Sequence, residues 1–189
     1  MYRINEIFYS LQGEGANTGT PAVFIRFSGC NLRCPFCDTD FEDYRPMSVA
    51  DILDAIAPYP SRFAVLTGGE PSLQVDTLLV EVLHSRGYRI AVETNGTHLL
   101  PPGIDWVTLS PKSDATLAIH EADELKVVYT GQNVEHYYQS IKVRHYFLQP
   151  CSQTVDGSRT DNAPAVIDYC LRHPHWRLSL QVHKLLNIQ

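Results

Sequence analysis

The sequence predicts an α/β fold, a partial, open (β/α) barrel. Strand-like and helix-like segments alternate along the chain, polar clusters recur at the ends of the strand-like segments, and 189 residues fall short of the about 250 of a closed eight-fold barrel. The first two strands are read at Arg3 to Leu11 and Ala22 to Ser28, rich in Ile, Phe, Tyr and Val with a glycine-containing turn between them. Ser48 reads as a helix N-cap with Asp51 three residues on. Val49, Ile52, Leu53 and Ile56 then fall on one helical face. Phe63 to Thr67 is a short buried strand leading into Gly68-Gly69-Glu70-Pro71. Val75, Leu78, Leu79 and Val82 make the next helical stripe, which Gly87 ends. Further strands follow at Tyr88 to Thr94, Trp106 to Leu109 and Leu125 to Tyr129, then a helix from about Asn133 to Ile141 and a strand at His145 to Leu148. Ala163, Val166, Ile167, Cys170 and Leu171 form a last helical stripe, and Trp176 to His183 reads as a closing strand of alternating pattern.

Composition narrows the function. Apolar residues make up 44% and charged residues 19%, ordinary globular usage, and residues 1–189 are expected to form one domain. The net charge of -6, without a basic run, argues against a nucleic-acid partner, which needs a positive surface to displace counterions. Apolar runs such as Ala22 to Ile25 are too short to span a bilayer, so no membrane association is expected. The opening Met1-Tyr2-Arg3-Ile4-Asn5-Glu6 has no apolar h-region, so a cytoplasmic location is expected.

Three of the five cysteines lie close together, as Cys30-Asn31-Leu32-Arg33-Cys34-Pro35-Phe36-Cys37, a C-x3-C-x2-C spacing. A structural zinc site takes four Cys or His ligands, usually as two pairs, and this loop offers three without a clear fourth. The spacing suits a 4Fe–4S cluster with one iron left open. A zinc site recruiting a histidine or Cys151, or three unremarkable thiols, are the other readings. Gly68 and Gly69 fit either close backbone approach to a ligand or a tight strand-to-helix turn. Arg26 interrupts the apolar run Val23-Phe24-Ile25, so it reads as a carboxylate clamp or as an edge arginine in water. Cys170 reads as core, and His173 and His175, flanking Pro174, read as solvated.

The cysteine motif with Phe36 before its last member, together with the Gly-Gly-Glu run, resembles the radical SAM superfamily. Leu11-Gln12-Gly13-Glu14-Gly15, Cys37-Asp38-Thr39, Ser110-Pro111-Lys112 and Gln149-Pro150-Cys151 resemble, within it, the 7-carboxy-7-deazaguanine synthase family of queuosine biosynthesis. The resemblance runs from Ile4 to Gln189 and implies the reduced barrel of that family. It implies that Cys30, Cys34 and Cys37 hold a 4Fe–4S cluster whose open iron chelates S-adenosylmethionine. Cofactor contacts implied are Phe36, Cys37, Asp38, Gly69, Glu70, Ser110, Pro111, Lys112, Gln149, Pro150, Cys151 and Ser152. Substrate contacts implied are Leu11, Gln12, Gly13, Glu14, Arg26, Thr67 and His183, with the main-chain carboxylate of Gln189, and Thr39 is implied to offer an oxygen to Mg2+. His183 also fits a purely structural role. The implied reaction is a carbon–nitrogen lyase step turning 6-carboxy-5,6,7,8-tetrahydropterin into 7-carboxy-7-deazaguanine with loss of ammonia. An electron donor such as flavodoxin or ferredoxin and a homodimer are implied as partners. A glycyl-radical enzyme activase, a non-enzymatic metal-binding module and a tRNA-modifying protein are the competing functions.

Overall fold

The computed structural model describes residues 1–37, 43–112, 115–155 and 158–189, with the side chains of 153–155 and 158–159 left aside. Eleven strands and five α-helices follow in this order among the described residues: β1 (Tyr2–Leu11), β2 (Pro21–Phe27), β3 (Arg45–Met47), α1 (Val49–Ile56), β4 (Phe63–Gly68), α2 (Thr77–Ser85), β5 (Arg89–Thr94), β6 (Trp106–Leu109), β7 (Glu124–Tyr129), α3 (Glu135–Ser140), β8 (His145–Pro150), β9 (Ser152–Val155), β10 (Ser158–Asp161), α4 (Ala163–Arg172), β11 (Arg177–Leu178) and α5 (Val182–Leu186). Nine strands form one sheet in the order β11-β8-β7-β6-β5-β4-β2-β1-β3. The strands from β2 to β11 pair in parallel, and β1 joins antiparallel to both β2 and β3. The edge strands β3 and β11 do not pair with each other, so the barrel is unclosed.

Alternation along the strands sorts the side chains onto two faces. Ile4, Val23, Ile25, Leu66, Ile90 and Val92 pack with Ile52 and Ile56 of α1 and Leu79, Val80 and Leu83 of α2 in one apolar layer. Leu125, Val127 and Leu148 pack with Tyr137 of α3, Val166 of α4 and Trp176 in a second. The opposite, concave face carries Arg26, Thr67, Glu93, Lys126 and Gln149, above a small apolar floor of Phe8, Phe24, Val65 and Ala91. Helices thus cover one face of the sheet and leave the other for function.

The predicted N-cap forms a full capping box: Asp51 N–H donates to Ser48 Oγ, and the Asp51 carboxylate accepts from the Ser48 backbone. Gly87, at φ +78, stops α2 as expected. Several expectations need correction. In α2 the buried positions are Leu79, Val80 and Leu83, while Leu78 is exposed. Asp76 is the N-cap, so Val75 lies outside the helix and shifts the stripe; Val75 and Val80 join the same cluster, the arrangement of a hydrophobic staple. In α4 only Val166 is buried, and Ile167 and Leu171 face solvent because this helix covers just the narrow β8–β11 margin. The closing strand shrinks to Arg177–Leu178, and residues 182–186 are helical. Two strand pairs escape the sequence reading altogether, β3 on β1 and the β9–β10 hairpin.

Candidate active site

A cavity of about 690 Å³ opens on the concave face, within the size range of small-molecule sites. Loops at the carboxyl ends of the parallel strands build its rim. The loop after β2 carries the cysteines, and its path is fixed by main-chain bonds from the loop after β4: Gly69 N–H donates to Phe27 O and Glu70 N–H to Gly29 O, both at 2.9 Å. Gly68 sits at φ +118, where only glycine is comfortable, and a Cβ on it would overlap the Phe27 backbone. A Cβ on Gly69 would overlap the Gly29 carbonyl. The glycine pair therefore serves a close crossing of two loops, which adds a third reason to the two read from the sequence. Gly69→Ala is expected to push the Gly29–Cys30 backbone away and to lower iron content after cluster reconstitution, by more than half, with the rest of the fold intact by circular dichroism.

Cys30, Cys34 and Cys37 all line the cavity, with Phe36 beside them. Cys37 N–H closes a turn onto Cys34 O at 3.1 Å, and Leu32 N–H points at Cys30 Sγ at 3.4 Å. Among the described residues the cysteines are not grouped as three ligands of one ion, the single such set being elsewhere. A spread trio of thiols in a cavity wall, one of them already receiving an N–H, fits a cluster in which each thiolate holds a different iron. Burial raises the thiols of Cys30 and Cys34 above their usual range, so loading metal must displace protons from them. Lys112 faces the same end: its ammonium donates to Ser110 Oγ at 3.0 Å and lies 6.0 Å from the Phe36 ring centre. Burial lowers its proton affinity, which the Cys34 charge partly restores.

Glu70 is the best-anchored carboxylate of the rim. One oxygen accepts from Thr94 Oγ1 at 2.6 Å and Ser72 N at 3.0 Å, and the other accepts from Asn95 N at 2.7 Å. It ties the β4 loop to the end of β5 while remaining on the cavity wall. Gln149 and Pro150 at the end of β8, and Cys151 and Ser152 after them, also line the cavity. Cys151 N–H donates to Asn162 Oδ1 at 2.8 Å. Pro111 is buried and does not reach the cavity. Asp38 and Thr39 lie outside the described residues.

Below the rim lies a charged tier. Lys126 pairs with Glu14 and, at 3.3 Å, with Glu93, and Glu14 also accepts from Gln149 Nε2 at 3.3 Å and Gln181 Nε2 at 2.8 Å. Burial alone would raise Glu14, but the Lys126 ammonium, with the Gln181 donor and His183, outweighs it and holds the carboxyl at about 2. Lys126 is held charged in turn, since its carboxylate neighbours overcome its desolvation. Glu124, whose carboxyl accepts from Thr108 Oγ1 and Ala16 N, is pushed upward by burial. Lys126 was not expected from sequence, although it interrupts the apolar run Leu125 to Val128 just as Arg26 interrupts its own.

Leu11, Gln12 and Gly13 extend this tier. Gln12 is buried and donates from Nε2 to Glu93 Oε1 at 2.9 Å. A Cβ on Gly13 would overlap the His183 ring, which packs there and lines the cavity together with Gln181. Their loop crosses the open side of the barrel: Gly15 N–H donates to Ser179 Oγ at 3.0 Å, Ala16 N–H to Glu124 Oε2 at 2.8 Å, and Val182 N–H to Gly13 O at 2.9 Å. Arg26 projects from a strand flanked on both sides, not from an edge; its Nε donates to Glu6 Oε1 at 2.8 Å, and its guanidinium lies over the Phe8 ring. Thr67 lines the wall beside it. Gln189 does so too, its backbone carbonyl accepting from Ser10 Oγ and its amide donating to Glu6 Oε2 at 3.0 Å.

Comparison with known proteins agrees with this architecture. A profile described as Radical SAM superfamily matches residues 24–150. A 7-carboxy-7-deazaguanine synthase of Bacteroides thetaiotaomicron is 52% identical over 189 residues, covering all of both chains. The enzyme of the same name from Nitratidesulfovibrio vulgaris is 43% identical over 99% of each chain. The crystal structure of QueE from Escherichia coli superimposes with a TM-score of 0.78 at 31% identity, covering 96% of this chain and 94% of that one. The chain therefore belongs to the radical SAM superfamily and, within it, to the 7-carboxy-7-deazaguanine synthase family.

Proposed function

We propose that this chain, as one domain over residues 1–189, is a carbon–nitrogen lyase that converts 6-carboxy-5,6,7,8-tetrahydropterin to 7-carboxy-7-deazaguanine with release of ammonia, in the route to queuosine. The observation that carries the reading is a single cavity with three cysteines at its rim and a charged, hydrogen-bonding tier beneath. Cys30, Cys34 and Cys37 would hold the 4Fe–4S cluster, with S-adenosylmethionine beside it. Bound there, the two supply one-electron cleavage of a carbon–sulfur bond and hydrogen abstraction from the substrate.

The chain's own residues orient and enclose. The Gly69–Glu70 loop and Ser110 to Lys112 would meet the methionyl part of the cofactor, and Phe36 and the run Gln149 to Ser152 its remainder. Arg26 would take the pterin carboxylate: Glu6 fixes the plane of the guanidinium through Nε, leaving its outer edge for a bidentate pair. Thr67, Gln12, His183 and Gln189 would bound the pterin edge, with Leu11 and Gly13 beside it. Glu14 would act by keeping Lys126 and the two glutamines Gln149 and Gln181 in place. Mg2+, which prefers oxygen ligands, would be shared between substrate and Thr39. A flavodoxin- or ferredoxin-type reductant, a homodimer and a cytoplasmic location complete the proposal. No described helix is long and apolar enough to cross a membrane.

Anaerobic incubation with the carboxypterin, reductant and S-adenosylmethionine should yield a product lighter by ammonia, with the cofactor regenerated. Reductive loss of S-adenosylmethionine without change in the pterin would sink the assignment and favour an activase. Arg26→Ala should raise KM for the pterin by about 10- to 100-fold, the worth of a charge-assisted pair, and leave the iron content unchanged. An unaltered KM would remove Arg26 from the substrate site.

A further inference from the structure

On the helical side of the sheet, away from the cavity, Glu135 at the start of α3 meets the two histidines of the His173-Pro174-His175 segment. His175 Nε2 lies 3.0 Å from one carboxylate oxygen, and His173 Nδ1 lies 3.7 Å from the other. One donor atom from each of the three falls within 4.8 Å of the other two, the single such set among the described residues. The expectation that these histidines are solvated is thus corrected: both are half-buried and face a carboxylate.

The arrangement is more than a surface pairing. Tyr169 OH and Trp176 Nε1 both donate to Glu135 Oε1, at 2.7 and 3.0 Å, and Trp176 is almost wholly buried. These donors fix the carboxylate plane from behind, the role that outer-shell groups play around metal ligands. The imidazoles are fixed too, His173 stacked on Tyr169 at 4.3 Å and His175 against Tyr138 at 4.0 Å. Among the described residues no lysine or arginine pairs with Glu135, and the nearby Arg172 is bound to Asp168. The groups facing the carboxylate are the two imidazoles, the Tyr169 hydroxyl and the Trp176 indole N–H.

We infer that Glu135, His173 and His175 form a second metal site, selective for a borderline divalent ion of the Zn2+ type, with water in the remaining position. Two imidazoles and one carboxylate are a donor set for that class rather than for Mg2+, which seeks oxygen alone. The ion would replace the direct contact between His175 and Glu135. It ties α3 to the segment that leads into β11, the two-residue edge strand.

The test uses cluster-loaded protein, so that Cys30, Cys34 and Cys37 are occupied, titrated with Zn2+ against a chromophoric chelator. Wild type should hold one Zn2+ per chain and melt at a higher temperature with zinc than without. His173→Gln and His175→Gln should each weaken binding at least tenfold and abolish the melting shift. His173→Gln keeps the His175–Glu135 contact, so it reports on the site even where His175→Gln fails to fold. X-ray absorption at the zinc edge should show only nitrogen and oxygen neighbours, at about 2.0–2.2 Å. Failure of wild type to hold zinc, undiminished affinity in His173→Gln, or sulfur in the zinc shell would each overturn the site, whatever becomes of the lyase assignment.

Discussion

Cys34→Ala should abolish both cluster and turnover: a purified, reconstituted variant is expected to be colourless, with less than a tenth of the wild-type iron and no cleavage of S-adenosylmethionine. Each thiolate of a site-differentiated cluster holds its own iron, so two cysteines leave a second corner open and the cubane is lost. The protein itself should survive. Cys34 belongs to none of the apolar layers and lies in a loop held by Gly69 and Glu70, so the melting temperature of the cluster-free variant should match that of cluster-free wild type within about 0.5 kcal/mol of stability. A brown, active Cys34→Ala protein would move the cluster elsewhere.

Lys126→Met should cost more stability than any other substitution in the cavity. It strands Glu14 and Glu93 against a wall with no other described cation within salt-bridge distance of either, and breaking a buried pair from one side costs about 3–5 kcal/mol. For a chain of this size that is a fall in melting temperature on the order of 10 °C. The pH dependence should also invert. In wild type Glu14 is held at about 2 against an ordinary 4.5, so its contribution is fully present above about 4.5 and is lost as pH falls toward 2. Without the ammonium, burial remains the largest influence on Glu14 and acts upward against the Gln181 donor and His183, so acidification should relieve the variant rather than harm it. Adding Glu14→Gln should recover part of the loss. Melting curves between pH 3 and 8 would show all three effects, and a parallel pH profile for the two proteins would dismiss Lys126 as the counter-charge.

Much of this was legible because local and global signals agreed. Ser48 with Asp51 announced a helix start, and Phe63 to Thr67 followed by two glycines announced a strand ending at the site. The cysteine spacing announced the cluster. The failures have physical causes. Ser179 shows how tertiary contact overrides pattern: its hydroxyl is drawn to Gly15, the chain leaves the sheet there, and the alternation of Leu178, Leu180 and Val182 has no further strand to join. The segments Ser152–Val155 and Ser158–Asp161 are almost wholly polar in sequence and so show no apolar period of 2. Lys126 was passed over, and the histidines at 173 and 175 were read as solvated, because their partners, Glu14 and Glu135, are far away in sequence. No local window contains both members of such a pair.

The loop of residues 12–16 joins one flank of the barrel to the other by isolated hydrogen bonds, not by a ladder. A wall fastened by a clasp can swing without unzipping any strands, and local opening needs far less energy than global unfolding. The seam between this loop and residues 179–183 is therefore a lightly fastened part of the cavity wall. Its amides at Gly15, Ala16 and Val182 should exchange with solvent well before those of β4 and β5, and occupancy of the chamber should slow them.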